Sequence, residues 1–253
     1  MLARGMERAE IGAQIGSGRT ADVFAFGDNV LKLYRSRDAA ADAFREATAM
    51  AVAAAHGLPV PQIVEVAQFE GRWGLVMERA EGATLAALGE GAAPDTGSVT
   101  GEMVRLHCQM HARPEARLPS LKARMRTRIG RAERLAAAKR SELVAGLDAL
   151  PDGNRICHGD FHPFNIIGAP GSGVIVDWLD ATSGPPEADV CRSYVLLAPH
   201  RPDVAEDYLV QYCAASGLAR AAIVAWLPYV AAARLVEDAG DTPFLLGLLG
   251  IQA

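Results

Sequence analysis

Apolar residues in the first third of the chain fall in short runs broken by turn residues. Ile11 to Ile15 leads into Gly16-Ser17-Gly18. Val23, Phe24 and Phe26 approach Gly27-Asp28-Asn29, and Val30-Leu31-Lys32-Leu33-Tyr34 returns, which predicts a hairpin. The Ala-rich residues 38–56 predict a helix, with Asp38 as N-cap and Gly57 and Pro59 as the stop. Ile63–Phe69 and Trp73–Met77 predict a second hairpin across Glu70-Gly71-Arg72.

After Glu81-Gly82 the spacing of apolar residues becomes helical. Helices are expected at 98–111 and 120–138; in the second, Leu121, Met125, Ile129, Ala132 and Leu135 share one face and arginines take the other. Further helices fit 141–150, 187–197, 203–216, 219–237 and 243–250. Short apolar pieces at 164–167 and 173–177, either side of Gly168-Ala169-Pro170-Gly171, read as a small hairpin. The expected class is α+β: a strand-rich N-terminal lobe over residues 1–80 and a larger helical lobe over 81–253.

Composition narrows the function classes. Half of the residues are hydrophobic and 22% are charged, as in a folded globular protein. The net charge of -5 excludes a general attraction to nucleic acid or to an anionic membrane. Charge is uneven, however: residues 113–140 carry ten Lys/Arg against Glu115 and Glu133, a local balance of +8. Such a strip is either a solvated helix face or a surface for an anionic partner or substrate. Cys108, Cys157, Cys191 and Cys213 fit no metal or disulfide spacing, no secretory signal is visible, and the run 47–55 is too short to span a bilayer. A reduced, cytoplasmic protein is expected; the oligomeric state is not legible.

Three constellations carry chemistry. In Gly16-Ser17-Gly18-Arg19-Thr20-Ala21, two glycines let backbone N–H groups come close to phosphate oxygens, although a plain hairpin turn reads the same way. A strand follows this loop, not the helix of a dinucleotide fold, which favours a loop folded over a nucleotide. Lys32 lies in an apolar strand where an ammonium needs a partner, and Glu46, fourteen residues on in the helix, can supply one. In His158-Gly159-Asp160-Phe161-His162-Pro163-Phe164-Asn165, Asp160 and Asn165 have the five-residue spacing of the Asp and Asn in a kinase catalytic loop. A carboxylate at the first position can orient a hydroxyl and take its proton; an amide oxygen at the second can ligate Mg²⁺. Asp177 closes the apolar strand Val174-Ile175-Val176 and can bridge magnesium to phosphates.

The segment from His158 to Ile167, followed by Ile175-Val176-Asp177-Trp178, closely resembles the aminoglycoside phosphotransferase family of kinase-like enzymes. The resemblance takes in the Gly16 loop, Lys32, Glu46, Val76-Met77-Glu78-Arg79 and Asp189, and so covers residues 11 to 195. It implies a two-lobed protein-kinase-like fold with ATP in the cleft, adenine meeting the backbone around Met77, Glu78 and Ala80, Asp160 as base, and Asn165 and Asp177 as Mg²⁺ ligands. It implies a small hydroxylated acceptor, among them aminoglycosides, amino sugars and choline-like alcohols. Gly159 in place of the arginine of His-Arg-Asp, and Asp177-Trp178-Leu179 in place of Asp-Phe-Gly, set the chain apart from protein kinases. Residues 199–253 hold only a modest acidic excess for a polycationic drug.

Other readings stay open at this level. His158, Asp160 and His162 form H-x-D-x-H, which could serve a metal-dependent hydrolase; a catalytically silent nucleotide-binding module is a second alternative. His107 and His111 have zincin spacing, but Cys108 stands where the catalytic Glu would be, and a place on the helix surface or in lobe packing is expected of them. Asp189 is expected to anchor the catalytic loop. Trp178 is either a stacking platform for substrate or a core aromatic, and Asp180 is a candidate acceptor-binding residue.

Overall fold

Turns that only certain backbones tolerate set the register of the first sheet. Glu70 and Gly71 both take positive φ (50° and 77°), as a tight two-residue hairpin requires. The computed structural model describes residues 10–35, 39–89 and 96–251. In it, β1 (Gln14–Ser17), β2 (Ala21–Phe26) and β3 (Asn29–Tyr34) are followed by α1 (Ala40–Ala55), β4 (Ile63–Phe69) and β5 (Arg72–Glu78). The strands form one antiparallel sheet in the order β1-β2-β3-β5-β4. Phe26, Leu31, Leu33, Phe69 and Val76 make its core, with Phe26 and Phe69 edge to face at 5.4 Å. The expected N-cap, Asp38, lies outside the described residues.

The chain continues through α2 (Leu85–Gly89), α3 (Thr96–His111), α4 (Leu121–Gly130), α5 (Ala137–Ala149), β6 (Arg155–Cys157), β7 (Ile166–Ile167), β8 (Val174–Ile175) and β9 (Thr182–Gly184). It ends with α6 (Pro186–Leu197), α7 (Pro202–Ser216), α8 (Arg220–Val224), α9 (Leu227–Arg234) and α10 (Thr242–Leu248). Two compact units result: one takes the described residues up to Glu81 together with Val174–Leu179, the other Gly82–Gly173 and Asp180 onward. In the second unit, α3 packs on α7, α4 on α5 and α9, and α6 on α7, α8 and α9, while β6 pairs antiparallel with β9. The architecture is the expected α+β kinase-like one. No helix among the described residues is long and apolar enough to cross a membrane.

Two expected helices are broken. The helix expected over 120–138 stops at Gly130 because Ala132 and Leu135 reach the core from a turn, where Arg140 donates to the Leu135 carbonyl at 2.7 Å. The helix expected over 219–237 divides into α8 and α9, with Pro228, which has no N–H to donate, in the first turn of α9. The short α2, β6 and β9 carry too few residues to show a period.

Candidate functional site

In the first unit the site begins with Lys32 in the middle of β3, its backbone set between Val23 of β2 and Leu75 of β5. The side chain is 7% exposed, and Nζ donates to Glu46 at 2.8 Å and to Asp177 Oδ1 at 2.7 Å. Tyr34 donates its hydroxyl to the other Glu46 oxygen at 2.6 Å. Burial alone would lower the Lys32 pKa; the Glu46 and Asp177 carboxylates outweigh it and hold the ammonium well above its ordinary value. The cation is therefore fixed by a wholly buried carboxylate on α1 and a more open one after β8.

Asp177 reaches that position through strained backbone: its φ is 63°, a left-handed value rarely seen outside glycine. Ile175, two residues earlier, is buried and donates its N–H to the Pro59 carbonyl at 2.8 Å. Trp178, just after, is completely buried, and its Nε1 donates to the Ile175 carbonyl at 2.9 Å. Trp178 is thus a core aromatic that clamps the turn, which removes it as a stacking surface for substrate.

The glycine loop lies between β1 and β2. Ser17 donates to Asp22 at 3.1 Å, and Arg35 donates to both Ser17 and Asp22, at 2.7 and 2.8 Å. Gly16 and Gly18 have no positive φ, and a Cβ on either would make only ordinary contacts of 3.5 and 3.6 Å. The hairpin itself does not demand glycine there. At the end of β5, Met77 is buried opposite Val30, Glu78 is exposed, and the chain leaves regular structure before Ala80.

In the second unit the His158–Asn165 loop is held from beneath. Asp189, on α6, accepts the backbone N–H groups of His158 and Gly159 at 2.7 and 2.8 Å. Its Oδ2 also meets Nε2 of His107 at 2.9 Å and of His111 at 3.3 Å, and the Nδ1 atoms of those rings meet Tyr208 and Tyr212 at 2.5 and 2.7 Å. Burial, with the neighbouring His111, lowers the His107 pKa to about 3. Burial would raise the Asp189 pKa, but its bonds to His107 and His111 hold it well below the carboxylate range. His107 and His111 are thus buried against Asp189, Tyr208 and Tyr212 in the packing of the second unit. Among the described residues they and Asp189 are the one set of three such donors within 4.8 Å of one another; His158, Asp160 and His162 do not form such a set.

Gly159 does require glycine: its φ is 81°, and a Cβ would lie 2.5 Å from the Asp180 carbonyl oxygen. Beyond it, Asp160 accepts from Arg192 at 3.2 Å and lies 3.5 Å from His162 Nε2. Burial would raise the Asp160 pKa; the His162 hydrogen bond and the Arg192 charge overcome that and hold it well below the usual range. Asn165 donates its amide to the Asp160 carbonyl at 2.9 Å, closing the loop.

The phosphotransferase enzyme family model matches residues 12–224. This chain belongs to that family. No curated protein matches it. Among solved structures it is similar to aminoglycoside phosphotransferase APH(4)-Ia in complex with AMP-PNP and hygromycin B: 16% identity, 94% of this chain and 91% of that chain covered, TM-score 0.69. A type VIII aminoglycoside-3'-phosphotransferase gives 19% identity, 92% and 94% coverage and a TM-score of 0.66. A streptomycin–ATP complex of APH(2")-IIa gives 15%, 98% and 93%, and 0.64.

This phosphotransferase carries residues that sequence reasoning missed. Arg192 bonds the Gly159 carbonyl at 3.1 Å as well as Asp160, and its partner Glu237 accepts from it at 2.8 and 2.9 Å. Asp180, singled out as a candidate acceptor ligand, has its carboxylate taken by Arg124 at 2.9 Å and Arg128 at 2.8 Å. The acidic residues of the C-terminal part are likewise engaged: Asp203 with Arg201, Glu206 with Arg220, Asp238 with Arg134 and Asp241 with Arg234. The run of arginines in 113–140 was the available signal, but only tertiary packing shows which of them turn inward.

Proposed function

We propose that this phosphotransferase moves the γ-phosphate of ATP to a hydroxyl of a small molecule. The observation that carries the reading is the buried Lys32 ammonium held between Glu46 and Asp177. A buried cation costs several kcal/mol to desolvate, and its place in a strand beside a glycine loop suits the neutralisation of ATP phosphates. Glycine at positions 16 and 18, which the hairpin does not require, suits close approach of phosphate to backbone N–H groups. The backbone from Met77 through Glu78 to Ala80 would meet the adenine.

Each of the two proposed ligands carries an oxygen donor that suits Mg²⁺. Asp177 offers the carboxylate oxygen not bound to Lys32, and the Asn165 amide nitrogen is engaged with Asp160, which leaves its Oδ1 as the acceptor for a cation. When bound, the metal would supply charge neutralisation on the phosphates. Asp160, kept ionised by His162 and Arg192, accepts the hydrogen bond of the attacking hydroxyl and takes its proton. Asp177→Ala should lose the magnesium-dependent part of nucleotide affinity while the fold survives. Calorimetry of ATP with and without Mg²⁺ checks this; unchanged Mg–ATP binding would remove Asp177 from the ligand set.

A further inference from the structure

A cavity of the second unit opens beside the Asp160 loop, lined by Gly159, Asp180, Arg124, Arg128, Arg192 and Arg234. Four arginines therefore line a cavity that is also lined by Gly159, the residue before the proposed base. Every carboxylate near them is already engaged. Asp180 is shared by Arg124 and Arg128; Glu237 accepts from Arg128 at 3.0 Å, from Arg192 at 2.8 Å and from Arg234 at 2.7 Å; Asp241 pairs with Arg234. Asp189, also on the lining, is spent on the histidines and loop N–H groups beneath.

We infer that the acceptor is a hydroxylated compound bearing an anionic group, a carboxylate or a phosphate, that seats on Arg124 and Arg128, and that it is not a polycation. This rests on the phosphotransferase reading above and gives its substrate class. Arg192 and Arg234 have side chains 9% and 10% exposed and serve the interior network, whereas Arg124 and Arg128 are 21% and 23% exposed and present themselves to the cavity. Both come from α4, inside the basic segment 113–140. A guanidinium offers planar, paired donors that match carboxylate and phosphate oxygens. An ammonium-bearing acceptor would meet the like charges of Arg124 and Arg128 and find every lining carboxylate already engaged, Asp180 by these arginines and Asp189 by histidines and backbone N–H groups.

The test is calorimetry on the full chain. Mg²⁺ and AMP-PNP are bound first; gluconate (carboxylate), glucose phosphate (phosphate), glucose (neutral) and hygromycin B (polycation) are then titrated separately. Failure of the first step would count against the nucleotide-dependent reading itself; success there isolates the acceptor question. At least one anion should bind more tightly than glucose, with an affinity that falls as salt rises, and hygromycin B should give no binding. Arg124→Gln and Arg128→Gln should each weaken the anion at least tenfold, with AMP-PNP affinity held. Arg124→Lys, which keeps the charge and loses the planar fork, should fall between. Hygromycin B binding more tightly than both anions, no anion binding tighter than glucose, or anion affinity indifferent to both substitutions and to salt would each overturn the inference.

Discussion

At the scale of single residues, the proposed chemistry depends on how Asp160 is kept charged and aimed. Arg192 touches both its carboxylate and the preceding carbonyl, and is itself fixed by Glu237. Because its pKa is held below the ordinary carboxylate value near 3.9, Asp160 stays ionised well into mild acid. With Arg192→Ala that pKa rises, so the loss of kcat on lowering pH begins at higher pH than in the parent, while Mg–ATP affinity is retained. A kcat–pH profile of both proteins checks this; superimposable acid limbs would leave Arg192 a purely structural residue. Gly159→Ala tests the loop backbone: a Cβ 2.5 Å from the Asp180 carbonyl, at a φ of 81°, should cost about 1–3 kcal/mol in a denaturant melt. Lys32, Glu46, Asp160, Asn165 and Asp177 were legible as candidates because their types and spacing match those the proposed chemistry would need. Trp178 and Asp180 were legible only as neighbours of the motif. Nothing in the sequence says that the indole turns into the core or that two arginines take the carboxylate.

Among the elements, α3 and α6 carry the loop. His107 and His111 lie one turn apart on α3 and reach Asp189 on α6, so two helices and the loop are tied by one carboxylate. The pH consequence follows from the His107 pKa, lowered to about 3 by burial. In the unfolded chain a histidine titrates near 6.5, so below that pH the unfolded state binds a proton the folded state refuses. Stability from this group is complete above about pH 6.5 and is lost progressively as pH falls toward 3. Thermal melts at about pH 7.5 and about pH 5 should show the decline, and His107→Gln should melt lower at the higher pH yet lose less on acidification. An equal loss in both proteins would take His107 out of the acid response. Helix positions were readable wherever an apolar stripe ran uninterrupted, as in α3, α6 and α7. The reading failed where apolar residues stayed in phase through a turn, at Ala132 and Leu135, and where Pro228 interrupted a stripe that continued beyond it.

For the whole molecule, the segment that looks like a basic patch on an acidic protein is in part an internal feature. Arg124 and Arg128 turn to a cavity and Lys122 donates to the Leu150 carbonyl at 2.8 Å, while Arg126 stays outside with Asp148. Composition alone cannot separate these fates, because alternate positions on one helix face opposite ways. The α+β class was legible from the change of period after Gly82; the presence of Val174–Leu179 in the same compact unit as the first sheet was not, since it depends on contacts far apart in sequence. The central claim is phosphoryl transfer with Asp160 as base. Its most direct test compares the parent and Asp160→Ala for Mg–ATP consumption and phosphorylated product across a panel of small hydroxylated anions. The parent should transfer phosphate to at least one of them. The variant should bind Mg–ATP as tightly and transfer about 10²–10⁴-fold more slowly. Transfer by Asp160→Ala at the parental rate would contradict the account.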